Sequence, residues 1–147
     1  MTPDGIRDED WDRVHELAVE IVNAGDAEKC DEQKAQLLEC LDRLEEKYGP
    51  LPSILATRAD YVKEPEESRE LLERAYAPAL EKHDRLNVLY VASSLARLHI
   101  ERLRNVTEGV KWLAAFKEAL KYAGDESDIE EYEDLAKMLR DVGGSLS

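Results

Sequence analysis

The sequence predicts an all-α protein of about seven antiparallel helices, stacked as helical hairpins into a short α-solenoid. Three observations carry this. Ala, Leu, Glu, Lys and Arg dominate the chain while Gly (7) and Pro (5) are sparse, a composition of good helix formers. Apolar residues recur at helical spacing along nearly the whole chain, and no segment alternates as a half-buried strand does. The breaks between periodic segments are short, which makes successive helices antiparallel neighbours.

Taken in order, a first helix over 10–24 presents Trp11, Val14, Leu17, Ala18 and Ile21 on one face, with Gly25 as its stop. A second over 27–48 repeats Leu37, Leu41, Leu44 and Tyr48 and ends at Gly49-Pro50. A short third starts near Pro52, a good first-turn residue, and carries Ile54, Leu55, Ala59 and Val62. Pro65 opens the fourth, with Glu66 and Glu67 at the positive end of the helix dipole and Leu71, Leu72, Ala75, Tyr76 and Ala79 inward. Pro78 inside that pattern predicts a kink or an early end, because proline removes a hydrogen bond and clashes with the preceding turn. Asp84 is the predicted cap of a fifth helix that reaches residue 104. Between Leu86 and Ile100 its only formal charge is Arg97, and Leu86, Leu89, Val91, Ala92, Leu95, Leu98 and Ile100 surround more than one face. Such a helix is enclosed by neighbours and forms the centre of the fold. Thr107 is the predicted cap of a sixth helix carrying Val110, Leu113, Phe116 and Leu120, ended by Gly124. A seventh over 128–142 turns Ile129, Tyr132, Leu135, Ala136 and Leu139 inward, and residues 143–147 are expected to be a disordered tail.

The 147 residues make one domain, 43% apolar and 37% charged, with a formal net charge of −14. Nucleic acid is excluded as a main partner, since phosphate backbones call for clustered Lys and Arg and no basic run exists. An anionic membrane surface is excluded on the same ground, and no apolar run approaches a membrane span. The charge is uneven. Residues 1–64 carry about −9, residues 65–104 are close to neutral and residues 105–147 carry about −5 by count. Acidity serves solubility, and it also favours a basic protein partner by raising association rates. The start MTPDGIRDEDW is acidic and lacks the apolar core of a signal peptide. Cys30 and Cys40, ten residues apart on one expected helix, stand about 15 Å from each other, too far to pair. A reducing cytoplasm is therefore the expected location.

The helices repeat. SILATRADYVKEPEESRELLERAYAPAL reads helix, turn, helix, and so does SSLARLHIERLRNVTEGVKWLAAFKEAL further on. Each opens on a Leu-Ala pair, Leu55-Ala56 and then Leu95-Ala96. Each closes on small and large residues at helical spacing: Ser68, Leu72 and Ala75, then Trp112, Phe116 and Ala119. These segments resemble tetratricopeptide repeats (TPRs), over residues 53–124. Leu95-Ala96 through Phe116-Lys117-Glu118-Ala119-Leu120 looks like that family's Leu-Gly opening and its aromatic-x-x-Ala-Leu close. The spacing is nearer forty residues than thirty-four, and the consensus glycine is alanine. The resemblance implies one domain over 1–142: a degenerate hairpin at 8–48, repeats at about 53–82 and 85–123, and a capping helix at 127–142.

No catalytic constellation is present. There is no Gly-rich phosphate loop, no G-x-S-x-G and no H-E-x-x-H. His15, His83 and His99 lie on three different segments, and none has a Cys or His at metal-ligand spacing. Asp12 and His15 sit at i, i+3, but no metal site and no cofactor are expected. His99 reads as a packed, hydrogen-bonded core histidine, and Ser93 and Ser94 as residues permitting close helix packing. The run DESDIEEYED holds seven acids and no base, with Ile129, Tyr132 and Leu135 at helical spacing, and so reads as the solvated acidic face of a helix.

In a TPR-like stack the first helix of each pair lines the inner groove. The resemblance therefore implies groove residues Arg58 and Tyr61 on the third helix, and Asn87, Tyr90, Ser94, Arg97 and Glu101 on the fifth. The opposing expectation is that Tyr90 is core and Arg97 pairs with a neighbouring carboxylate. Glu130, Glu131 and Glu133 add an acidic contact surface. Small size, acidic ends and the lack of catalytic machinery suggest a non-enzymatic protein-binding module. It is similar in style to bacterial immunity proteins and antitoxins, which neutralise a basic toxin. The alternative is a scaffold, adaptor or chaperone holding a peptide or helix in the groove.

Overall fold

The computed structural model describes residues 1–25 and 30–146. Seven α-helices occur among them: α1 (Asp8–Ala24), α2 (Asp31–Tyr48), α3 (Pro52–Tyr61), α4 (Pro65–Glu81), α5 (Arg85–Arg97), α6 (Val106–Ala119) and α7 (Glu126–Leu146). No strand is found among the described residues, and none of their helices is long and apolar enough to cross a membrane. Each helix packs on the next in sequence. The chain is thus an all-helical stack of hairpins, α1/α2, α3/α4 and α5/α6, closed by α7. α3, α5 and α7, the leading helix of each successive unit, also touch one another in the order α3–α5–α7 and build one continuous face.

Local chemistry sets the helix ends. Asp8, Glu9 and Asp10 occupy the first turn of α1, where carboxylates offset the positive dipole end. Gly25 closes that helix in the left-handed conformation at φ 67°. The Asp84 carboxylate caps α5 by accepting from the Asn87 amide at 3.2 Å. The cap of α6 is Asn105, whose side-chain oxygen accepts from the Glu108 amide at 3.1 Å. The helix begins one residue before Thr107, leaving that hydroxyl inside the first turn. The expected start of α2 at residue 27 lies outside the described residues.

Pro78 neither ends nor divides α4, which continues to Glu81. Only one turn remains beyond the proline, and Ala75 and Ala79 on either side are fully buried, so packing holds the turn that the missing hydrogen bond would loosen. The fifth helix does not run unbroken to residue 104. After Arg97 it widens into a π-helical turn, Leu98–Arg102, in which the Leu103 amide donates to the Leu98 carbonyl at 2.9 Å. α7 continues as helix through residues 143–146, where the sequence predicts a disordered tail.

Two cores hold the stack. The larger joins α3 to α7 around Leu55, Leu72, Ala92, Leu95, Phe116 and Leu135. α5 runs through its middle with Val91, Ala92, Leu95 and Ala96 all fully buried. The smaller lies between α1 and α2, around Val14, Leu17, Leu37 and Leu41, and is closed by Ile6 and by Ile54 of α3. Leu86, Val110 and Ile129, expected inward, are instead 59%, 54% and 48% exposed. Each sits on the flank of its helix's apolar stripe. Arg58 ties α3 to α2 through Asp42 (3.0 Å) and Glu45 (3.1 Å). Cys30 and Cys40 are both free thiols.

Gly124, between α6 and α7, adopts φ +104°, and an added Cβ would stand 3.1 Å from Leu120 and 3.2 Å from Leu89. Gly124→Ala is expected to destabilise the fold by about 1–3 kcal/mol, read as a lower urea midpoint with an unchanged slope.

Candidate functional site

The face built by α3, α5 and α7 gathers most of the residues that the sequence nominated. At its centre the Tyr90 hydroxyl of α5 donates a short hydrogen bond to the Asp60 carboxylate of α3. Further along α5, the Arg97 guanidinium donates to Glu101 at 2.9 Å and to Glu131 of α7 at 3.0 Å. That bridge fixes α7 against α5. Ser94 lies half-buried between Tyr90 and Arg97.

Two concavities open beside the C-terminal end of α3. One, of about 190 Å³, is lined by Asp60, Ser68, Ser94, Arg97, Glu101 and Arg102. The other, of about 750 Å³, extends towards α2 and is lined by Lys34, Asp60, Tyr61, Lys63, Glu67 and Arg102 among others. Asp60 and Arg102 line both, so the two adjoin at these residues. Arg102 is held there by donating to the Lys63 carbonyl at 3.0 Å.

The electrostatics single out Asp60. Asp60 is exposed at its outer edge, yet the protein on its inner side raises its carboxyl above the ordinary value of 3.8, and the Tyr90 hydrogen bond opposes that shift. No cation contributes, and among the described residues none forms an ion pair with it. Desolvation and the adjacent Asp60 charge push the Tyr90 phenol upward, so it stays protonated as a donor. Desolvation likewise raises the Tyr61 phenol. Because the folded-state pKa of Asp60 exceeds its unfolded value, the folded protein holds that proton more tightly. The ionised carboxylate therefore opposes folding at neutral pH, and the penalty fades as pH falls through the raised pKa. Asp60→Asn, which keeps an acceptor for Tyr90, is expected to stabilise the protein at pH 7. The increment should shrink towards zero as pH approaches 3.8, as followed by urea unfolding over a pH series.

The other nominated residues lie elsewhere or serve the fold. The Arg58 side chain is 14% exposed and pairs with α2. Asn87 is buried, and its amide nitrogen donates to Asp84 at 2.6 Å and to Ser53 at 3.1 Å. Both groups are satisfied internally and turned away from the groove's open space. Glu130 and Glu133 are exposed on α7, beside Glu126 and Asp134. No ion partner is found for these four among the described residues, and they form an exposed acidic face of α7 that lines neither concavity.

Sequence reasoning missed Asp60, one of 34 acidic residues, because nothing in its local pattern marks it. It missed a second grouping altogether. Glu73 of α4, His99 of the π-helical turn and Glu108 of α6 each offer a ligand atom, and these atoms all lie within 4.8 Å of one another. His99 is packed as expected, at 2% exposure, but neither ring nitrogen has a hydrogen-bond partner. Desolvation lowers its pKa, with Glu108 and Glu73 acting in the opposite sense and Arg69 reinforcing the shift.

Comparison with known proteins adds no relative: no family model, no curated protein and no solved structure matches this chain.

Proposed function

We propose that this chain is a non-enzymatic, cytoplasmic protein-binding module of TPR-like type. In this reading it takes a basic partner on the α3–α5–α7 face and neutralises it, in the manner of an immunity protein or antitoxin. The observation that carries the reading is Asp60. Asp60 is an exposed carboxylate at the edge of both concavities that accepts from Tyr90 and, among the described residues, forms no ion pair, and its raised pKa marks its ionised form as unfavourable in the free protein. A lysine or arginine from a partner, inserted beside it, would relieve that penalty on binding. Sites of function are where such locally unfavourable groups accumulate. Around it, Tyr61 and Tyr90 supply flat contact area with polar tips, the kind of residue that anchors interfaces. The unpaired carboxylates of α7 extend the attraction beyond the groove and would accelerate encounter with a positively charged surface.

The test begins with capture on the immobilised protein at low and high salt, followed by binding kinetics with the protein recovered. A single basic protein should be retained at low salt, with an association rate that falls steeply as salt rises. Asp60→Asn should weaken binding at least tenfold, and reversing Glu130 and Glu133 to lysine should slow association. An acidic partner, or an affinity indifferent to salt, would sink the idea. A second reading, a scaffold holding a peptide or helix, is supported by the size of the open groove beside Tyr61. It predicts partners that share a short segment, survive high salt and are lost on substituting Tyr61, Tyr90 or Arg97, while reversal of Glu130, Glu131 and Glu133 leaves them unaffected.

A further inference from the structure

Buried histidines ordinarily hydrogen-bond through at least one ring nitrogen, since stranding a polar atom away from water costs about 1–3 kcal/mol. His99 does so through neither. Its ring is 2% exposed and borders a cavity of about 410 Å³ whose other lining residues include Glu66, Arg69, Glu73, Asn105 and Glu108. The backbone around it is irregular in a way that serves this placement. The widened turn Leu98–Arg102 carries His99, the Asn105 amide donates to the His99 carbonyl at 2.9 Å, and the Asn105 side chain caps α6 at Glu108. Single π-helical turns of this kind occur frequently at functional sites.

We propose that Glu73, His99 and Glu108 form a binding site for a divalent transition-metal ion of the zinc class. One imidazole and two carboxylates, from three separate elements, converge on one cavity with their ligand atoms within 4.8 Å of one another. Zinc takes such nitrogen and oxygen ligands at about 2.0–2.2 Å, and three protein ligands leave a fourth position open to water or to a group from a partner. In a tetrahedron of that radius the ligand atoms stand about 3.3 Å apart. The remaining adjustment falls on Glu73 and Glu108, whose side chains are 39% and 34% exposed and free to change rotamer, while the packed imidazole stays fixed. A ligating imidazole must be neutral, and the burial of His99 favours that form. The ion has two resident competitors, of which Lys111, 3.9 Å from Glu108 and exposed, is the looser. Arg69 donates to Glu73 at 2.7 Å, but it also donates to Glu66 at 2.8 Å and keeps that partner when Glu73 turns to the metal. Calcium and magnesium, which prefer an all-oxygen shell, are poor fits. The inference is independent of the protein-binding proposal, because the groove and this cavity share none of the residues that carry either argument.

The experiment uses the full chain, stripped with chelator. Co²⁺ titration should produce visible absorption bands that saturate at one equivalent and are abolished by one equivalent of Zn²⁺. Under the same conditions the ¹⁵N ring signals of His99 should move, while those of His15 and His83 stay in place. Glu73→Gln and Glu108→Gln, both at partly exposed positions and expected to fold, should each weaken Zn²⁺ binding at least tenfold. Ca²⁺ and Mg²⁺ should not displace Co²⁺. Movement of the His15 or His83 signals in place of His99, unchanged affinity in both glutamine variants, or no saturable Co²⁺ band up to millimolar ion would each overturn the proposal.

Discussion

Phe116→Ala is expected to destabilise the protein by about 3–5 kcal/mol, a large fraction of the roughly 5–15 kcal/mol typical of a domain. The ring is completely buried and meets Tyr132 of α7 edge-on, with centroids 5.7 Å apart. Its removal therefore opens a cavity in the larger core and also deletes an aromatic pair of a kind worth about 0.5–1.5 kcal/mol beyond the area it buries. The site cannot collapse readily, because the larger core it belongs to includes Leu95, Ala96 and Leu135, themselves fully buried and fixed on other helices. Phe116→Leu, which fills more of the space, should lose clearly less. The measurement is the urea midpoint at constant slope. A loss under about 1 kcal/mol for the alanine variant, far below the usual cost of such a truncation, would mean that α7 is not packed on α6 through this ring pair.

The second large effect concerns polar groups. Asp4 accepts from the Ser53 amide at 2.7 Å and from the Ser53 hydroxyl at 2.8 Å. Ser53 in turn accepts from Asn87, and Asn87 donates to Asp84. One chain of hydrogen bonds thus joins the N-terminal segment, the start of α3 and the start of α5. Asn87→Leu removes the side-chain donor shared by Asp84 and Ser53; Asp84 keeps the backbone amide of residue 87 and Ser53 keeps Asp4, and the loss of the central buried donor is expected to cost about 1–3 kcal/mol. A double-mutant cycle between Asp4→Ala and Asn87→Ala isolates the network. The two sites share Ser53, so their effects should be non-additive by more than the roughly 0.3–0.5 kcal/mol scatter of independent sites. Additivity within that scatter would show that the hydrogen bonds act separately.

Periodicity made the helices legible, because core packing needs a continuous apolar stripe and the stripe is written locally. It overreached at the stripe's flanks: Leu86, Val110 and Ile129 keep the spacing but lie past the edge of the neighbour each would have packed on. Punctuation was less reliable. Pro78 reads as a break, yet tertiary contacts through Ala75 and Ala79 outweigh its local penalty. Thr107 and Asn105 are both competent caps, and only the register of the turn chooses between them. The π-helical turn has no compositional mark at all. That Tyr90, Ser94, Arg97 and Glu101 share one side of α5 was legible, because helical spacing defines a face. Asp60 was not, since its significance lies in the protein around it and in its lack of an ion pair, neither of which is written locally. Glu73, His99 and Glu108 were out of reach for a different reason: ligand spacing within one segment is what sequence can register, and these three come from separate elements.

The division of the interior into two cores bears on how such a chain could lengthen or shrink in evolution. Helical arrays commonly change length by gaining or losing a hairpin at one end, each unit being nearly self-sufficient once a neighbour covers it. Here α3 is a party wall: Ile54 seals the smaller core while Leu55 and Ala56, the next two residues, seal the larger. Excising the first hairpin would expose Ile54 and strip Ser53 of its Asp4 partner, and excising α3 to α7 would leave α1 and α2 unroofed. The first pair of helices is thereby locked into the unit, and neither part could be shed without unroofing the other.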